Sequence, residues 1–442
     1  MKLSIYNSYI EIGKELSVIH NALTDKTVIS RQDIPKDKSK LLSLPDGSML
    51  LKNLIDSGCI VENHVDELQK LQDIILKTDC NTSTYTLIVN PTLDCNFKCW
   101  YCYESHISKS LMSDRTSDSI IMFVKNILSR NSDLNNFHLS FFGGEPLIGY
   151  SKIVRKLLPR ISELCHRRNV RFSTHFTTNG YLIDEEKVEF LKNYDCSFQI
   201  TIDGHREEHD NTRITKSGKG SYDKILQNIR LLTLAGMHAL VRINCTSANI
   251  NNVSSILEDF ETFPEDCKKL INFDFQRVWQ DSNSDPEGLH GKEFSEKVYH
   301  MSERFLNNGF AVSSVLFMKG VRNSCYADKI NQMTVNYDGS VYKCTARDFN
   351  EQNRLGHLCD DGTVLWDRMH PDKRYESKFS DPNCHRCRIA PLCGGGCSQM
   401  SFDRPHTDRC PMGYSESVKD DIVLSRFKHI HIDIPKYLKA SI

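Results

Sequence analysis

Six short apolar runs, each followed by a stretch of helical pattern, constrain the fold of this chain more than any other feature. The runs are rich in β-branched and aromatic residues and read YTLIVNPT, FHLSFFGGEP, RFSTHFTTNG, SFQITIDG, LVRINCTS and INFDFQRVW. Strands that alternate with helices form parallel βαβ units. The sequence therefore predicts an α/β fold, an open or partial (β/α)6 barrel over residues 85–320, with functional residues at the carboxyl ends of its strands.

The segments on either side of the predicted barrel have different patterns. Residues 1–84 contain the alternating runs LSIYNSYIEI and TVISRQDI and then two helical stretches with a turn at Gly58. This pattern predicts a small α+β, winged-helix-like unit. Residues 321–442 are rich in Cys, Gly and Pro and end in the helical stretch YSESVKDDIVLSRFKHI. We therefore expect three domains, over residues 1–84, 85–320 and 321–442.

Composition limits the classes of function. The 442 residues carry 56 Lys and Arg against 57 Asp and Glu, and the two signs are interspersed, so nothing favours nucleic acid as a partner. The chain shows neither a signal peptide nor a run of about 18 apolar residues. We expect a cytoplasmic protein without a membrane partner. In a reducing compartment its 17 cysteines indicate metal or iron–sulfur ligation rather than disulfides.

Three of these cysteines lie in the loop that leaves the first predicted strand. The stretch LDCNFKCWYCYE places Cys95, Cys99 and Cys102 close enough for their sulfurs to point at one centre. A four-iron cluster held by only three thiolates keeps one iron free for another ligand. The alternatives are a zinc site with a distant fourth ligand, or three unrelated thiols.

The spacing CxxxCxxC, with the aromatic Tyr101 before its last cysteine, resembles the signature of the radical S-adenosylmethionine (SAM) superfamily. The resemblance implies that the free iron of a 4Fe-4S cluster chelates the amino and carboxylate groups of SAM. One electron, from a donor such as flavodoxin or ferredoxin, then splits SAM into methionine and a 5′-deoxyadenosyl radical. The cofactor carries this chemistry, while the protein positions it and excludes water.

Other strand ends carry residues that match the same family. FFGGEP resembles an element whose glycines let the backbone approach SAM and whose carboxylate binds the SAM ammonium group. TIDG resembles the element that bonds the ribose and faces the cavity. The resemblance implies SAM-binding roles for Tyr101, Gly143, Gly144, Glu145, Pro146 and Thr201 and a catalytic role for Asp203, while Asn179, Arg242 and Asn244 are candidates by position alone. For the last three, an ordinary polar residue with satisfied hydrogen bonds is the alternative.

Seven cysteines form a second series in the C-terminal region. They are Cys325, Cys344, Cys384, Cys387, Cys393, Cys397 and Cys410. Seven thiols exceed one tetrahedral site, so two sites are the simplest count, and the spacing alone leaves zinc and iron–sulfur clusters open. Together with the first three cysteines, the series resembles the SPASM domain that follows radical SAM barrels acting on peptides. The resemblance covers residues 85 to about 415.

The SPASM resemblance implies three 4Fe-4S clusters, one that binds SAM and two auxiliary ones. Cys384, Cys387, Cys393 and Cys410 would hold the outer auxiliary cluster. Cys325, Cys344 and Cys397 would hold the inner one, which leaves that cluster one ligand short. Either a substrate thiolate binds its open iron, or Cys359 or a water completes the site.

Enzymes of this group that modify ribosomally made peptides often begin with a winged-helix-like element, which adds the leader of the precursor peptide to its sheet edge. Residues 1–84 resemble this element, and a structural cap is the alternative. We therefore expect a radical SAM/SPASM maturase that abstracts hydrogen from a precursor peptide and installs a thioether, carbon–carbon or carbon–oxygen crosslink. The alternatives are an anaerobic sulfatase-maturating enzyme, although Thr345 stands where that branch carries Asp, and a non-enzymatic zinc-binding winged-helix regulator.

Overall fold

The computed structural model describes residues 1–12, 16–30, 34–35, 37–278, 292–314, 320–367, 374, 377–379, 381–403 and 412–430. The chain forms two compact units. The terminal unit combines Met1–Asn81, Leu316–Lys329 and Asp372–Ile442, and the barrel unit combines Thr82–Val315 and Ile330–Pro371. One predicted site residue, Cys410, lies outside the described residues.

The secondary structure alternates between strands and helices through most of the chain. The strands are β1 Lys2–Leu3, β2 Asn7–Ile12, β3 Leu16–Asn21, β4 Lys26–Ser30, β5 Ile60–Val61, β6 Thr84–Val89, β7 Asn136–Phe141, β8 Arg171–Thr178, β9 Cys196–Thr201, β10 His238–Cys245, β11 Ile271–Arg277, β12 Ala311–Ser314, β13 Gln332–Val335, β14 Ser340–Tyr342, β15 Gly356–Leu358 and β16 Val364–Trp366. The α-helices are α1 Met49–Asp56, α2 Glu67–Asp79, α3 Asp114–Arg130, α4 Arg155–His166, α5 Glu185–Leu191, α6 Arg206–Thr212, α7 Tyr222–Leu234, α8 Leu257–Glu261, α9 Glu265–Lys268, α10 Lys292–Asn307, α11 Pro382–His385, α12 Ala390–Cys393, α13 Ser398–Asp403 and α14 Glu416–Ile430. Short 3-10 helices cover Lys38–Ser43, Pro146–Gly149, Val253–Ile256, Val321–Asn323 and Tyr326–Asp328, and a π-helical turn covers Tyr150–Val154.

The barrel unit is built on one eleven-stranded sheet with the order β12-β11-β10-β9-β8-β7-β6-β13-β14-β15-β16. From β6 to β12 each strand pairs in parallel with the next one along the chain, and helices connect them. This confirms the six predicted strands and the α/β class, and it adds β12 as a seventh parallel strand. The four residues of β12 include only two apolar side chains, a pattern too short to predict.

Stacked phenylalanines hold neighbouring parallel strands together. Phe141, Phe176 and Phe198 come from β7, β8 and β9, are fully buried, and have ring centroids 4.8 and 5.4 Å apart. Because side chains alternate along a strand, the residue beside each phenylalanine lies on the opposite face. There His175 Nδ1 lies 2.9 Å from Ser197 Oγ, so polar pairs line the face opposite the aromatic core.

Residues 330–371 extend the barrel sheet beyond β6. β13 pairs in parallel with β6, and β14, β15 and β16 follow in antiparallel order. These strands have only three or four residues each. Segments of this length carry too little periodicity to be recognised in a Cys- and Gly-rich sequence.

The terminal unit contains the three-stranded antiparallel sheet β2-β3-β4 and the short pair β1–β5. The sequence predicted two strands and two helices here and missed β3. Every residue of β3 is buried, and its polar members interrupt the apolar alternation. His20 Nδ1 lies 3.1 Å from Thr27 Oγ1, and Asn21 Nδ2 donates to the Gly58 carbonyl at 2.9 Å.

One hydrophobic core joins the N-terminal and C-terminal segments of the terminal unit. Tyr6, Val18 and Leu71 are buried in this core. Its members from the C-terminal part of the chain are Val321, Phe379, Ile389, Ala390, Leu392, Val423 and Phe427. Removing residues 1–81 would therefore expose apolar side chains of the cysteine-rich segment.

Helix length and polarity bear on membrane insertion. Among the residues that the structure describes, no helix is both long enough and apolar enough to cross a membrane.

Candidate active site

The parallel strands of the barrel unit end at one edge of the sheet. Val89 pairs with Phe141, and Phe141 pairs with Phe176, so β6, β7 and β8 end within two residues of one another. This edge opens into a cavity whose empty volume, with its open mouth, is about 950 Å³. Ten residues that the sequence singled out line it: Cys95, Cys99, Tyr101, Cys102, Gly143, Gly144, Asn179, Thr201, Arg242 and Asn244.

The loop that carries the first three cysteines is fixed at two points. Thr92 forms a β-bridge with Leu111, and Phe97 forms one with Thr215. The first bridge closes the loop on itself, and the second ties it to the segment between α6 and α7. Both anchors are backbone contacts, so the positions of the thiols do not depend on a bound metal alone.

The cysteine thiols fit a ligand larger than one ion. Burial raises the pKa of Cys95 to about 12, with the charge of Glu145 as the second cause, and burial raises the pKa of Cys102 to about 11. Metal binding must displace these protons, because the thiolate is the ligand. Within the described residues no three His, Cys, Asp or Glu side chains converge on one metal ion. Three thiols around one cavity suit a 4Fe-4S cluster, whose irons bind separate sulfurs.

The two glycines of the GGEP element let its loop pack on the cysteine loop. A Cβ on Gly143 would lie 2.5 Å from the Thr92 carbonyl oxygen, and one on Gly144 would lie 2.4 Å from that of Asp94. The Gly144 N–H donates to the Thr92 carbonyl at 3.2 Å, and the Glu145 N–H donates to the Asp94 carbonyl at 2.8 Å. From the sequence, we expected the two glycines to make room for SAM. In the structure they also make room for the backbone of the cysteine loop.

Glu145 is completely buried and is not among the residues that line the cavity. Its carboxylate accepts hydrogen bonds from the Leu147 N–H at 2.9 Å, the Thr178 hydroxyl at 2.8 Å and the Asn179 N–H at 2.8 Å. Burial raises its pKa, although these bonds oppose the shift. A carboxylate has about four acceptor positions, so the protein itself uses most of those of Glu145. Pro146, also buried, begins the short 3-10 helix that follows.

Tyr101 is the centre of a buried polar network. Its hydroxyl donates to Asp203 and accepts from Arg213 Nη1 at 2.6 Å and from Asn244 Nδ2 at 3.0 Å. Asp203 also accepts from the Asn244 N–H at 3.1 Å and lies 3.7 Å from Arg213 Nη1. Asp203 is 1% exposed and does not line the cavity. Its catalytic role stays a prediction, and its position behind Tyr101 does not support that role.

Arg213 is the main residue of the cavity that the sequence interpretation missed. Its side chain lies over the Phe97 ring at 5.6 Å, and within the described residues its Nε is buried without a hydrogen-bond partner. A guanidinium that lines a cavity is suited to a carboxylate, such as that of SAM. Other missed lining residues are Phe97, Tyr103, Glu104, His106, Phe142, Thr177, Thr178, Gln199, Arg277 and Val278.

Arg213 follows α6 in the segment HREEHDNTRITKSGKGSY, whose local structure holds it in place. Asp210 accepts from the N–H groups of Ser221 and Tyr222 at 2.7 and 2.9 Å, which closes the loop onto the start of α7. His209 Nε2 lies 3.0 Å from the hydroxyl of the same Ser221. A run of polar residues ending in Gly-x-Gly-Ser before a helix was the available signal, but it predicts a turn rather than a ligand.

The C-terminal cysteines fall into two groups. Cys384, Cys387 and Cys393 line one cavity of the terminal unit together with Phe379, Tyr414 and Lys419. This arrangement suits three ligands of one cluster. Cys325 and Cys397 belong to the terminal unit and Cys344 to the barrel unit. Their common ligation of an inner cluster stays a prediction.

The strand register argues against Cys359 as a partner of Cys344. β14 and β15 are antiparallel, with Val341 opposite Gly356 and Ser340 opposite His357. Cys344 follows the end of β14 and Cys359 the end of β15. The two cysteines therefore leave the pair at opposite ends. This placement does not favour Cys359 as a ligand beside Cys344.

Comparison with known proteins places these motifs in a family. A profile of the Radical SAM superfamily matches residues 89–263. The chain is 24% identical over 337 residues to the cysteine-type anaerobic sulfatase-maturating enzyme of Clostridium novyi, a match that covers 71% of this chain and 87% of that protein. It is 21% identical over 430 residues to the radical SAM cyclopropyl synthase TigE of Paramaledivibacter caminithermalis, covering 89% of this chain and 85% of that protein.

Two solved structures share the fold. The structure of anSMEcpe with bound AdoMet and Cp18Cys peptide has a TM-score of 0.56 and 21% identity, covering 81% of this chain and 99% of that chain. The structure of Streptococcus suis SuiB bound to its precursor peptide SuiA has a TM-score of 0.51 and 14% identity, covering 94% of this chain and 99% of that chain. At these identities the likeness concerns the fold.

Proposed function

Because this chain belongs to the radical SAM superfamily, whose enzymes use SAM and a 4Fe-4S cluster, we propose that it is a SPASM-type maturase that installs a crosslink in a ribosomally made precursor peptide. The observation that carries the proposal is the cavity in which Cys95, Cys99 and Cys102 meet the GGEP glycines and Arg213. When bound, SAM and the clusters supply the one-electron chemistry that removes a hydrogen atom from the substrate and takes up the electron released when a bond closes.

The residues of the chain position the cofactor and shield it from water. Gly143 and Gly144 form a wall without side chains, and the guanidinium of Arg213 would hold the SAM carboxylate. The Tyr101 hydroxyl fixes the guanidinium, because it accepts from Arg213 while it donates to Asp203. Aromatic and apolar lining residues keep water away from the reacting atoms.

A peptide substrate is supported by the neighbours that share the fold over most of this chain. SuiB bound to a precursor peptide covers 94% of the chain, and the cyclopropyl synthase TigE covers 89%. The product would be a thioether, carbon–carbon or carbon–oxygen link. Because Cys344 and Cys359 leave their strand pair at opposite ends, we favour a substrate thiolate over Cys359 or a water as the remaining ligand of an inner cluster, and with it a cysteine-containing peptide.

A leader-binding role for the N-terminal segment needs a test other than truncation. β2 and β4 are the outer strands of the three-stranded sheet, so β4 offers an edge for an added peptide strand. Ile29 on β4 is 41% exposed. Ile29→Glu should weaken binding of the precursor and leave SAM cleavage unchanged, whereas deletion of residues 1–81 would also uncover the shared core.

Formylglycine formation is the second candidate, because a sulfatase-maturating enzyme is among the relatives. That match covers 71% of this chain, less than the 89% covered by TigE. Thr345 follows Cys344, where the sulfatase-maturating branch carries an acid. These two observations favour the crosslinking function.

Product analysis separates the two functions. The reconstituted enzyme would be incubated without oxygen with SAM, dithionite and short cysteine-containing peptides encoded beside its gene. We expect a peptide that has lost two hydrogens, resists thiol alkylation and carries no aldehyde. A product that reacts with a hydrazide probe for aldehydes would instead identify formylglycine and overturn the crosslinking proposal.

A further inference from the structure

A buried lysine lies between two buried carboxylates in the terminal unit. Lys378 Nζ is 2.7 Å from Asp79 Oδ2 and 3.0 Å from Asp328 Oδ2. The three side chains are 3, 0 and 2% exposed. Lysine and aspartate are almost never buried to this extent unless they are paired, so this group is a built feature of the unit.

The first carboxylate connects the lysine to the segment that carries Cys325. Asp79 is the last residue of α2, and its other oxygen accepts a hydrogen bond from the hydroxyl of Ser324. Ser324 directly precedes Cys325 in the chain. The end of a helix from the N-terminal segment therefore fixes the backbone next to this cysteine.

The second carboxylate connects the same lysine to the segment that carries Cys397. Asp328 accepts a hydrogen bond from the hydroxyl of Ser398, which directly follows Cys397 and begins α13. The N–H of Asp328 also donates to the Cys325 carbonyl at 3.1 Å. Each of these two cysteines is thus next to a serine whose hydroxyl is hydrogen-bonded to a carboxylate. Both carboxylates pair with the ammonium group of Lys378.

The charge of the group explains why it is not simply part of the core. Besides the two carboxylates and the ammonium group, the buried Arg374 adds a second positive charge, since its Nη2 donates to the hydroxyl of Ser398 at 3.3 Å. Replacing buried ion pairs by apolar residues of similar volume is often neutral or stabilising, so stability alone is a weak reason for such a group. A buried lysine that forms ion pairs with two chain segments instead fixes the distance between those segments. Apolar packing defines this distance less closely.

We propose that Lys378 is a positioning residue, which, through Asp79 and Asp328, sets the spacing of Cys325 and Cys397 for an auxiliary iron–sulfur cluster. The inference rests on the proposed function, since it requires these cysteines to be cluster ligands. It also gives the N-terminal segment a second role, because Asp79 belongs to α2.

The test uses the full-length protein reconstituted without oxygen, with iron and sulfide analysis, electron paramagnetic resonance and redox titration of the reduced clusters. Lys378→Met should lose about four of about twelve irons per chain and keep the rate of SAM cleavage. Asp328→Asn keeps one acceptor oxygen, which serves Ser398 or Lys378 but not both, and it removes one negative charge, so it should raise the potential of an auxiliary cluster. Arg426→Met is the control, because Arg426 forms its ion pair with Asp25 in the same unit rather than with Asp79 or Asp328. It should change neither quantity.

The results separate this inference from the proposed function. Full iron content together with unchanged spectra and potentials in both Lys378→Met and Asp328→Asn would overturn the positioning role alone. About four irons in the wild-type protein would overturn the auxiliary clusters and the inference with them. If Lys378→Met does not fold, the potential of Asp328→Asn decides, and an unchanged value refutes the inference.

Discussion

Gly144 is the residue at which the GGEP loop packs on the cysteine loop. Its replacement by alanine tests whether this close packing sets the geometry of the cavity. The added Cβ would lie 2.4 Å from the Asp94 carbonyl oxygen and 2.7 Å from that of Leu93. Contacts between carbon and a carbonyl oxygen are normally about 3.3 Å or longer, so one loop must move by roughly 1 Å. Both neighbours are backbone, and neither can rotate away.

The expected effect of Gly144→Ala is large on activity and moderate on stability. Misplacement of reacting groups by about 1 Å can reduce a rate about 100-fold, while overpacking costs about 1–3 kcal/mol of unfolding free energy. The assay is the initial rate of 5′-deoxyadenosine formation from SAM and dithionite, normalised to iron content. Gly236→Ala is the control for a replacement without a clash, since nothing lies within 4 Å of the new Cβ, although its φ of +81° adds a backbone strain that Gly144→Ala lacks. A Gly144→Ala rate within twofold of the wild-type rate would refute the packing argument.

Two further predictions concern hydrogen bonding and pH. Tyr101→Phe removes the hydroxyl that Asp203 and Arg213 share. The KM for SAM should rise about tenfold, since hydrogen bonds to charged groups are worth about 1.5–3 kcal/mol. Rates measured over a range of SAM concentrations give the KM, and an unchanged value would contradict this prediction. Burial lowers the pKa of His175 to about 4 from an ordinary value of 6.5. The folded state then binds fewer protons than the unfolded state between these pH values, and the unfolding free energy falls as the pH drops through this window. His175→Gln should flatten this fall in urea titrations, and identical slopes would count against the assignment.

The parallel strands were predictable because their pattern repeats, and the rest of the fold was not. Six apolar runs between helical stretches leave few arrangements other than a parallel sheet. β3 was missed because it is buried along its whole length and contains His20 and Asn21, which make side-chain hydrogen bonds inside the unit. The shared core of the terminal unit was also beyond reach, since its members are separated by most of the chain.

The candidate site was predictable where it depends on strand ends. Parallel strands end at one edge, so Asn179, Arg242 and Asn244 could be assigned to a common cavity from their positions. Arg213 could not, because it reaches the cavity from a loop that is tied to the cysteine loop by a distant β-bridge. Asp203 was expected in the cavity because it follows a strand end. It does not line the cavity and instead accepts a hydrogen bond from the Tyr101 hydroxyl.

The central claim is that Cys95, Cys99 and Cys102 hold a cluster on which SAM is cleaved. The most direct measurement is 5′-deoxyadenosine formed by the reduced, reconstituted protein and by its triple variant Cys95→Ala/Cys99→Ala/Cys102→Ala, with Cys165→Ala as the control at a buried cysteine of α4. We expect 5′-deoxyadenosine from the wild type and from the control. The triple variant should form none and should hold about four fewer irons than the wild type. Robust 5′-deoxyadenosine formation by the triple variant would contradict it.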